Sequence, residues 1–140
     1  MHDFGQSLAV VVGINQYQHG IAPLATAMTD AKAIAHILKE YHDYQVFSLI
    51  DEEATLSKLK ELFQASLPSL VQPGDRLFVY FAGHGIALNG DEGPKGYLIP
   101  KDAVVGDTNT YLSMDELYQA LMDLPCHHML TVLDCCFAGG

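Results

Sequence analysis

A chain of 140 residues that is 49% hydrophobic, with no collagen-like, low-complexity or long charged segment, has the length and make-up of one globular domain built on one core. Seventeen acidic residues stand against seven basic ones, a formal charge of −10 that repels phosphate backbones and anionic membrane surfaces. Nucleic acid and membrane are therefore not expected as partners, whereas a basic peptide or a cation would suit the surface.

The opening MHDFGQSLAVVVGI has an acidic start, a short apolar run and no small-residue cleavage site, so it reads as a buried strand and not as a signal peptide. No apolar stretch approaches the roughly 20 residues that a membrane helix needs. Three cysteines without a secretory signal imply reduced thiols, and hence a cytoplasmic location.

Residues 7–14 (SLAVVVGI) form an apolar, β-branched run typical of a strand covered on both faces. Ala31, Ile34, Ala35 and Leu38 then recur at helical spacing, predicting an amphipathic helix that ends near Glu40. A second strand is expected over residues 44–50, and Leu56, Leu59, Leu62, Phe63 and Leu70 mark a second helix that stops before Pro73-Gly74. Residues 76–82 (RLFVYFA) read as a third buried strand. The glycine-rich residues 83–96 read as a long loop or hairpin region before a short strand-like segment, 97–100. Ser113 and Glu116 fit a capping box at the start of a helix reaching about Met122, Pro125 ends it, and residues 128–133 (HMLTVL) give a fourth strand. Alternating strands and helices imply an α/β fold, a mostly parallel central sheet flanked by helices. In such sheets function gathers beyond the carboxyl ends of the strands. That rule selects residues 15–29, the DEEAT at 51–55, the AGHGIALNG at 82–90 and the closing DCCFAGG at 134–140.

Two of these segments carry chemistry. A histidine beside a strand end is commonly structural, and a cysteine pair after a core strand is commonly small apolar filler. Here, though, His84 lies between Gly83 and Gly85, and Cys135-Cys136 precedes Gly139-Gly140. Glycines at these places permit tight, backbone-exposing turns. A thiol and an imidazole on strand ends of one sheet are the minimum for nucleophilic acyl transfer. A thiol of pKa about 8.5 is only slightly ionised at neutral pH, so a partner that takes its proton raises the reactive fraction. Successive strand residues point opposite ways, so only one of Cys135 and Cys136 faces His84 while the other packs.

FAGHG followed by DCCFAGG, with 52 positions between His84 and Cys136, resembles the caspase-like cysteine peptidases and specifically their metacaspase and orthocaspase branch. A histidine about 50 residues upstream of the cysteine is an established caspase spacing. VVGINQY, TDAKAIAHIL and GYLIPKDA are similar to that family as well, so the likeness spans nearly the whole chain. It implies a three-layer caspase-like fold, with residues 1–140 as the large-subunit region of one peptidase domain. It implies a cysteine endopeptidase in which Cys136 is the nucleophile, Cys135 the variable middle residue of the motif, and His84 the catalytic histidine. The backbone N–H groups of Gly85 and Cys136 would form an oxyanion hole, where each donor is typically worth ~3 kcal/mol. Asp30 and Asp134 would line the specificity pocket, and two carboxylates there favour Arg or Lys in the substrate by charge and, for Arg, by bidentate pairing.

The chain departs from that family at Phe137 and Ala138, where His and Ser are frequent, and at Ala82, where Ser is common. The smaller segment that normally follows and completes the cleft is not in the sequence, so a downstream small-subunit segment or chain is an expected partner beside the peptide substrate. Thiol chemistry requires no cofactor. Calcium is a candidate because Asp91, Glu92, Asp102 and Asp107 lie in loops near the place where calcium-dependent metacaspases carry acidic ligands, although no fixed calcium-loop signature is present. Cys126, His127 and His128 lack a second Cys-x-x-Cys and are expected to be structural. A catalytically silent caspase-like interaction module is the competing function, and the lack of G-x-G-x-x-G and P-loop patterns argues against nucleotide binding.

Overall fold

The computed structural model describes residues 5–139, with side chains through Cys135 and the backbone alone from Cys136 to Gly139. Six strands and the main helices follow in the order β1 (Ser7–Gly13), α1 (Ala27–His42), β2 (Gln45–Ile50), α2 (Leu56–Glu61), α3 (Leu67–Leu70), β3 (Arg76–Gly90), β4 (Gly93–Leu98), β5 (Leu112–Ser113), α4 (Met114–Met122) and β6 (His128–Gly139). The sheet runs β2-β1-β3-β4-β5, and β6 pairs with β3. Pairing of β2 with β1, β1 with β3 and β3 with β6 is parallel, whereas β4 is antiparallel to both β3 and β5.

β3 is the axis of this arrangement. Its first half, Arg76 to Ala82, lies against β1, and its second half, Gly85 to Gly90, lies against β4. Because β6 pairs with β3 from Arg76 to Ala87, it occupies the opposite edge, and β1 and β4 share the other. The glycine-rich stretch is thus the hairpin arm that continues β3, and the short strand expected at 97–100 lies instead over Gly93–Leu98. DCCFAGG likewise continues β6 rather than following it. Gly139 is strand in place of the expected turn, and Gly140 lies outside the described residues.

Alternation along β1 and β3 builds two cores. Leu8, Val10, Val12, Leu77, Val79 and Phe81 face Leu59, Phe63, Leu67, Leu117 and Leu121 of the later helices. Val11, Phe78, Tyr80 and Ala82 face Ala27, Ala31 and Ile34 of α1. The result is three layers, α1 on one face and α2 to α4 on the other. Gly13 allows α1 to approach β1, because a Cβ there would lie 2.5 Å from the Cβ of Ala31. The apolar stripe expected as one helix is interrupted by a π-helical turn at Leu62–Ser66. Pro68, just beyond it, has no N–H and its ring displaces the carbonyl of residue 64, which widens the turn. At the far end of the sheet the buried carboxylate of Asp75 accepts from the backbone N–H groups of Gln6 and Gln72, tying the entry of β1 to that of β3.

Candidate active site

His84 lies in β3 beyond the end of β1, so its backbone N–H has no strand partner on that edge. The N–H donates instead to the Tyr17 hydroxyl at 2.8 Å, and the Tyr17 ring packs on the imidazole with centroids 4.9 Å apart. Gly83 makes this possible, since a Cβ at that position would meet the Tyr17 oxygen at 2.7 Å. Burial pushes the Tyr17 pKa up to about 12 despite the amide donor, so the hydroxyl stays protonated.

The second anchor is on the ring. His84 Nε2 lies 2.8 Å from the carbonyl oxygen of Ala22. A carbonyl can only accept, so Nε2 carries the proton and, in the neutral imidazole, Nδ1 keeps the lone pair. The loop holding Ala22 is fixed by Asn15, whose backbone carbonyl accepts from Leu24 N–H at 2.7 Å and whose side chain accepts from Met28 N–H at 2.8 Å. The latter bond caps the start of α1 from a distance, in place of Thr26, which makes no side-chain cap.

Beside His84, on the α1 face, a cleft of about 240 Å³ is bordered by Leu24, Thr26, Asp30, Ala82 and Asp134. Asp30 stands in the first turn of α1, and Asp134 lies level with Ala82 across the β3–β6 ladder. The Asp134 carboxylate accepts from the Tyr80 hydroxyl at 2.9 Å. Burial, followed by this bond to a carboxylate, pushes the Tyr80 pKa well above the ordinary tyrosine value, so Tyr80 remains a donor. Asp134 and Asp30 are both exposed on the cleft side. The structure therefore brings His84, Asp30 and Asp134 to one cleft.

The strand register sets Cys136 level with His84 on the neighbouring parallel strand. The side chain of Cys136 lies outside the described residues. Cys135, level with Gly83, is half-buried and packs against the main core with Leu133 and Met129. Gly85 lies between Leu98 of β4 and Phe137 of β6.

The remaining acidic and metal-type residues are dispersed. Asp102 accepts from Leu56 N–H at 3.0 Å, Asp107 caps Asn109, and Asp91 and Glu92 form the tip of the β3–β4 arm. Among the described residues no three His, Cys, Asp or Glu side chains converge on one point. Cys126 is buried in the core, which pushes its thiol pKa up, and its neighbours His127 and His128 are exposed. A second groove of about 320 Å³, between Phe63, Pro68, Glu116 and Ala120, contains no histidine or cysteine. No described helix is long and apolar enough to cross a membrane.

The β3–β6 pairing thus sets a histidine, His84, level with a cysteine, Cys136, on neighbouring strands of a mostly parallel sheet. The chain belongs to the caspase-domain peptidase family, whose sequence pattern matches residues 6–140. It is 28% identical to Metacaspase III c of Phaeodactylum tricornutum over 96% of its own length and 43% of that protein's. It is 30% identical to Metacaspase-6 of Arabidopsis thaliana over 94% of its length and 38% of that protein's. The chain thus spans less than half of these curated relatives. A crystal structure of a Geobacter sulfurreducens protein superposes with a TM-score of 0.80 at 23% identity, covering 97% of this chain and 52% of the other, a likeness of fold.

Asn15, Tyr17 and Asp51 lie in segments selected at the strand ends but were assigned no site role there, and Lys101 was assigned none either. VVGINQY held the only signal for the first two, a polar Asn-Gln-Tyr directly after a buried strand.

Proposed function

We propose that this chain carries the catalytic half of a cysteine endopeptidase that cuts after Arg or Lys through a Cys136–His84 dyad and an acyl-enzyme. The observation that carries the reading is the register of β3 and β6, which sets Cys136 level with His84. Residues level in neighbouring parallel strands project to the same face, the face on which His84 borders the cleft. With Nε2–H committed to the Ala22 carbonyl, Nδ1 is the base that takes the thiol proton. The thiolate then adds to the substrate carbonyl, the protonated ring returns its proton to the leaving amine, and water releases the acyl group by the reverse route.

The charge that develops on the carbonyl oxygen would be met by the N–H groups of Gly85 and Cys136. Both backbone groups of His84 are used on the β1 and β4 edge, its N–H by Tyr17 and its C=O by Ile99 N–H at 3.0 Å. Backbone polarity alternates along a strand, so the N–H of Gly85 turns to the β6 side, where the parallel ladder engages it, and it would reach the oxyanion only once that pairing opens. Asp30 and Asp134 supply the carboxylates that would read a basic side chain, and Tyr80 holds Asp134 in place. Leu130, 58% exposed, and Val132 stand on the same strand, an apolar rim suited to a small-subunit segment that would complete the cleft.

An Arg chloromethyl ketone offered to the full-length protein is expected to alkylate Cys136, as mapped by peptide mass spectrometry, and Cys136→Ala is expected to abolish both label and hydrolysis. Labelling that persists in Cys136→Ala would overturn the assignment. Failure of the full-length protein to cut any Arg or Lys peptide would leave the non-catalytic interaction module as the better reading.

A further inference from the structure

Outside the cleft, a nearly buried ion pair converges on the segment that holds His84. Lys101 is 8% exposed, its ammonium donates to the Gln16 carbonyl at 2.6 Å, and it stands 3.7 Å from the Asp51 carboxylate. Asp51 Oδ1 in turn accepts from the N–H groups of Asn15 and Gln16 at 3.1 and 2.9 Å. Asp51 has φ 51°, a left-handed conformation that residues other than glycine rarely adopt. The backbone of Lys101 adds two more ties, accepting from Gln18 N–H and donating to the Ala54 carbonyl.

Apart from Ala54, every group held in this way lies between residues 15 and 18, and both groups that fix the imidazole hang from that segment. Tyr17 supplies the hydroxyl for the His84 N–H and the ring packed on the imidazole. Asn15 holds the loop from which the Ala22 carbonyl reaches Nε2. A buried ammonium–carboxylate pair has to offset its own desolvation, and an apolar pair of equal volume would anchor a loop at least as firmly. What the charged pair adds is direction. It holds one carbonyl and two N–H groups of consecutive residues in a single orientation, and a loop held only by packing could rotate.

We propose that Lys101 and Asp51 are positioning residues for His84, setting the ring orientation that leaves Nδ1 free, through Asn15 and Tyr17 and without touching the imidazole. The proposal rests on the reading of His84 as the general base, and its test is independent of hydrolysis. In ¹H–¹⁵N spectra of the histidine rings of the full chain, the hydrogen-bonded Nε2–H proton of His84 is expected to be protected from solvent. The His84 and Tyr17 rings are expected to show a mutual nuclear Overhauser effect. Lys101→Met combined with Asp51→Asn keeps volume and strands no buried charge; it is expected to lose both signals while the amide spectrum stays dispersed. Lys101→Arg, which keeps charge and donor, is expected to retain them.

A double variant that keeps both signals overturns the proposal, as does their absence from the unchanged chain. Should the double variant fail to fold, Lys101→Gln decides in the same way, because it keeps a donor for Gln16 without the charge. Loss of the signals in a protein that cuts no peptide would preserve the positioning role and sink only the catalytic reading.

Discussion

The Tyr17 hydroxyl accepts the His84 amide proton in a site buried enough to hold its pKa at about 12, against 10.0 for an unperturbed tyrosine. Between those values the unfolded chain has lost the Tyr17 proton while the folded chain keeps it. The unfolded state then binds fewer protons, and stability falls as pH rises. Thermal melts should therefore show a stability contribution that is complete below pH 10 and declines toward pH 12, and Tyr17→Phe should flatten that decline. An equally steep decline in Tyr17→Phe would show that the group does not titrate as its burial requires. None of this was legible in the chain, because the partners of Tyr17 and Lys101 lie 67 and 85 positions away. His84 and the cysteine pair were legible for the opposite reason. Their neighbours in sequence, glycines and a core strand, mark them out without any long-range contact.

At the level of elements, the strands and helices that could be read from periodicity were those whose burial is set by their own pattern. β1, β2, α1 and α4 all lie within a few residues of expectation. β3 was legible only as far as Ala82, because Gly83 to Gly90 have little strand preference of their own. They are extended because β4 and β6 flank them. β5, two residues long, has no period to read. The close approach of α1 to β1 is similarly a property of the pair. Replacing Gly13 by Ala would place the new methyl 2.5 Å from Ala31 Cβ and 2.8 Å from the Ala27 carbonyl. The helix would have to move, and Gly13→Ala is expected to destabilise by about 1–3 kcal/mol in urea denaturation. Because α1 carries Asp30 and the Ala22 loop leads into it, the displacement should also be felt in the cleft. Gly13→Ala with unchanged urea stability would mean that the two elements have slack that the geometry does not show.

For the molecule as a whole, the sequence pattern established an α/β layer structure but not that β6 would dock beside β3 in the register that aligns Cys136 with His84. That depends on how every strand packs at once. Net charge is the one global property that the chain states outright, and it yields a test that separates the field of the protein from its cleft. A formal charge of −10 attracts a basic peptide over several ångströms, whereas Asp134, in the proposed role, would act only at contact. Raising ionic strength from about 10 to about 200 mM shortens the screening length from about 30 to below 10 Å. On the proposed reading, it should lower kcat/KM of the full-length protein for an Arg peptide several-fold if its whole surface is as acidic as this region. Asp134→Asn should lower kcat/KM by about 10–100-fold at every salt concentration, the loss expected for one charge-assisted hydrogen bond, with nearly the same salt slope. Stability should move the other way, since salt relieves the repulsion among the acidic groups that opposes folding, and the melting temperature should rise as kcat/KM falls. A melting temperature that falls with kcat/KM would trace the lost activity to unfolding and leave the acidic surface without a role in substrate capture.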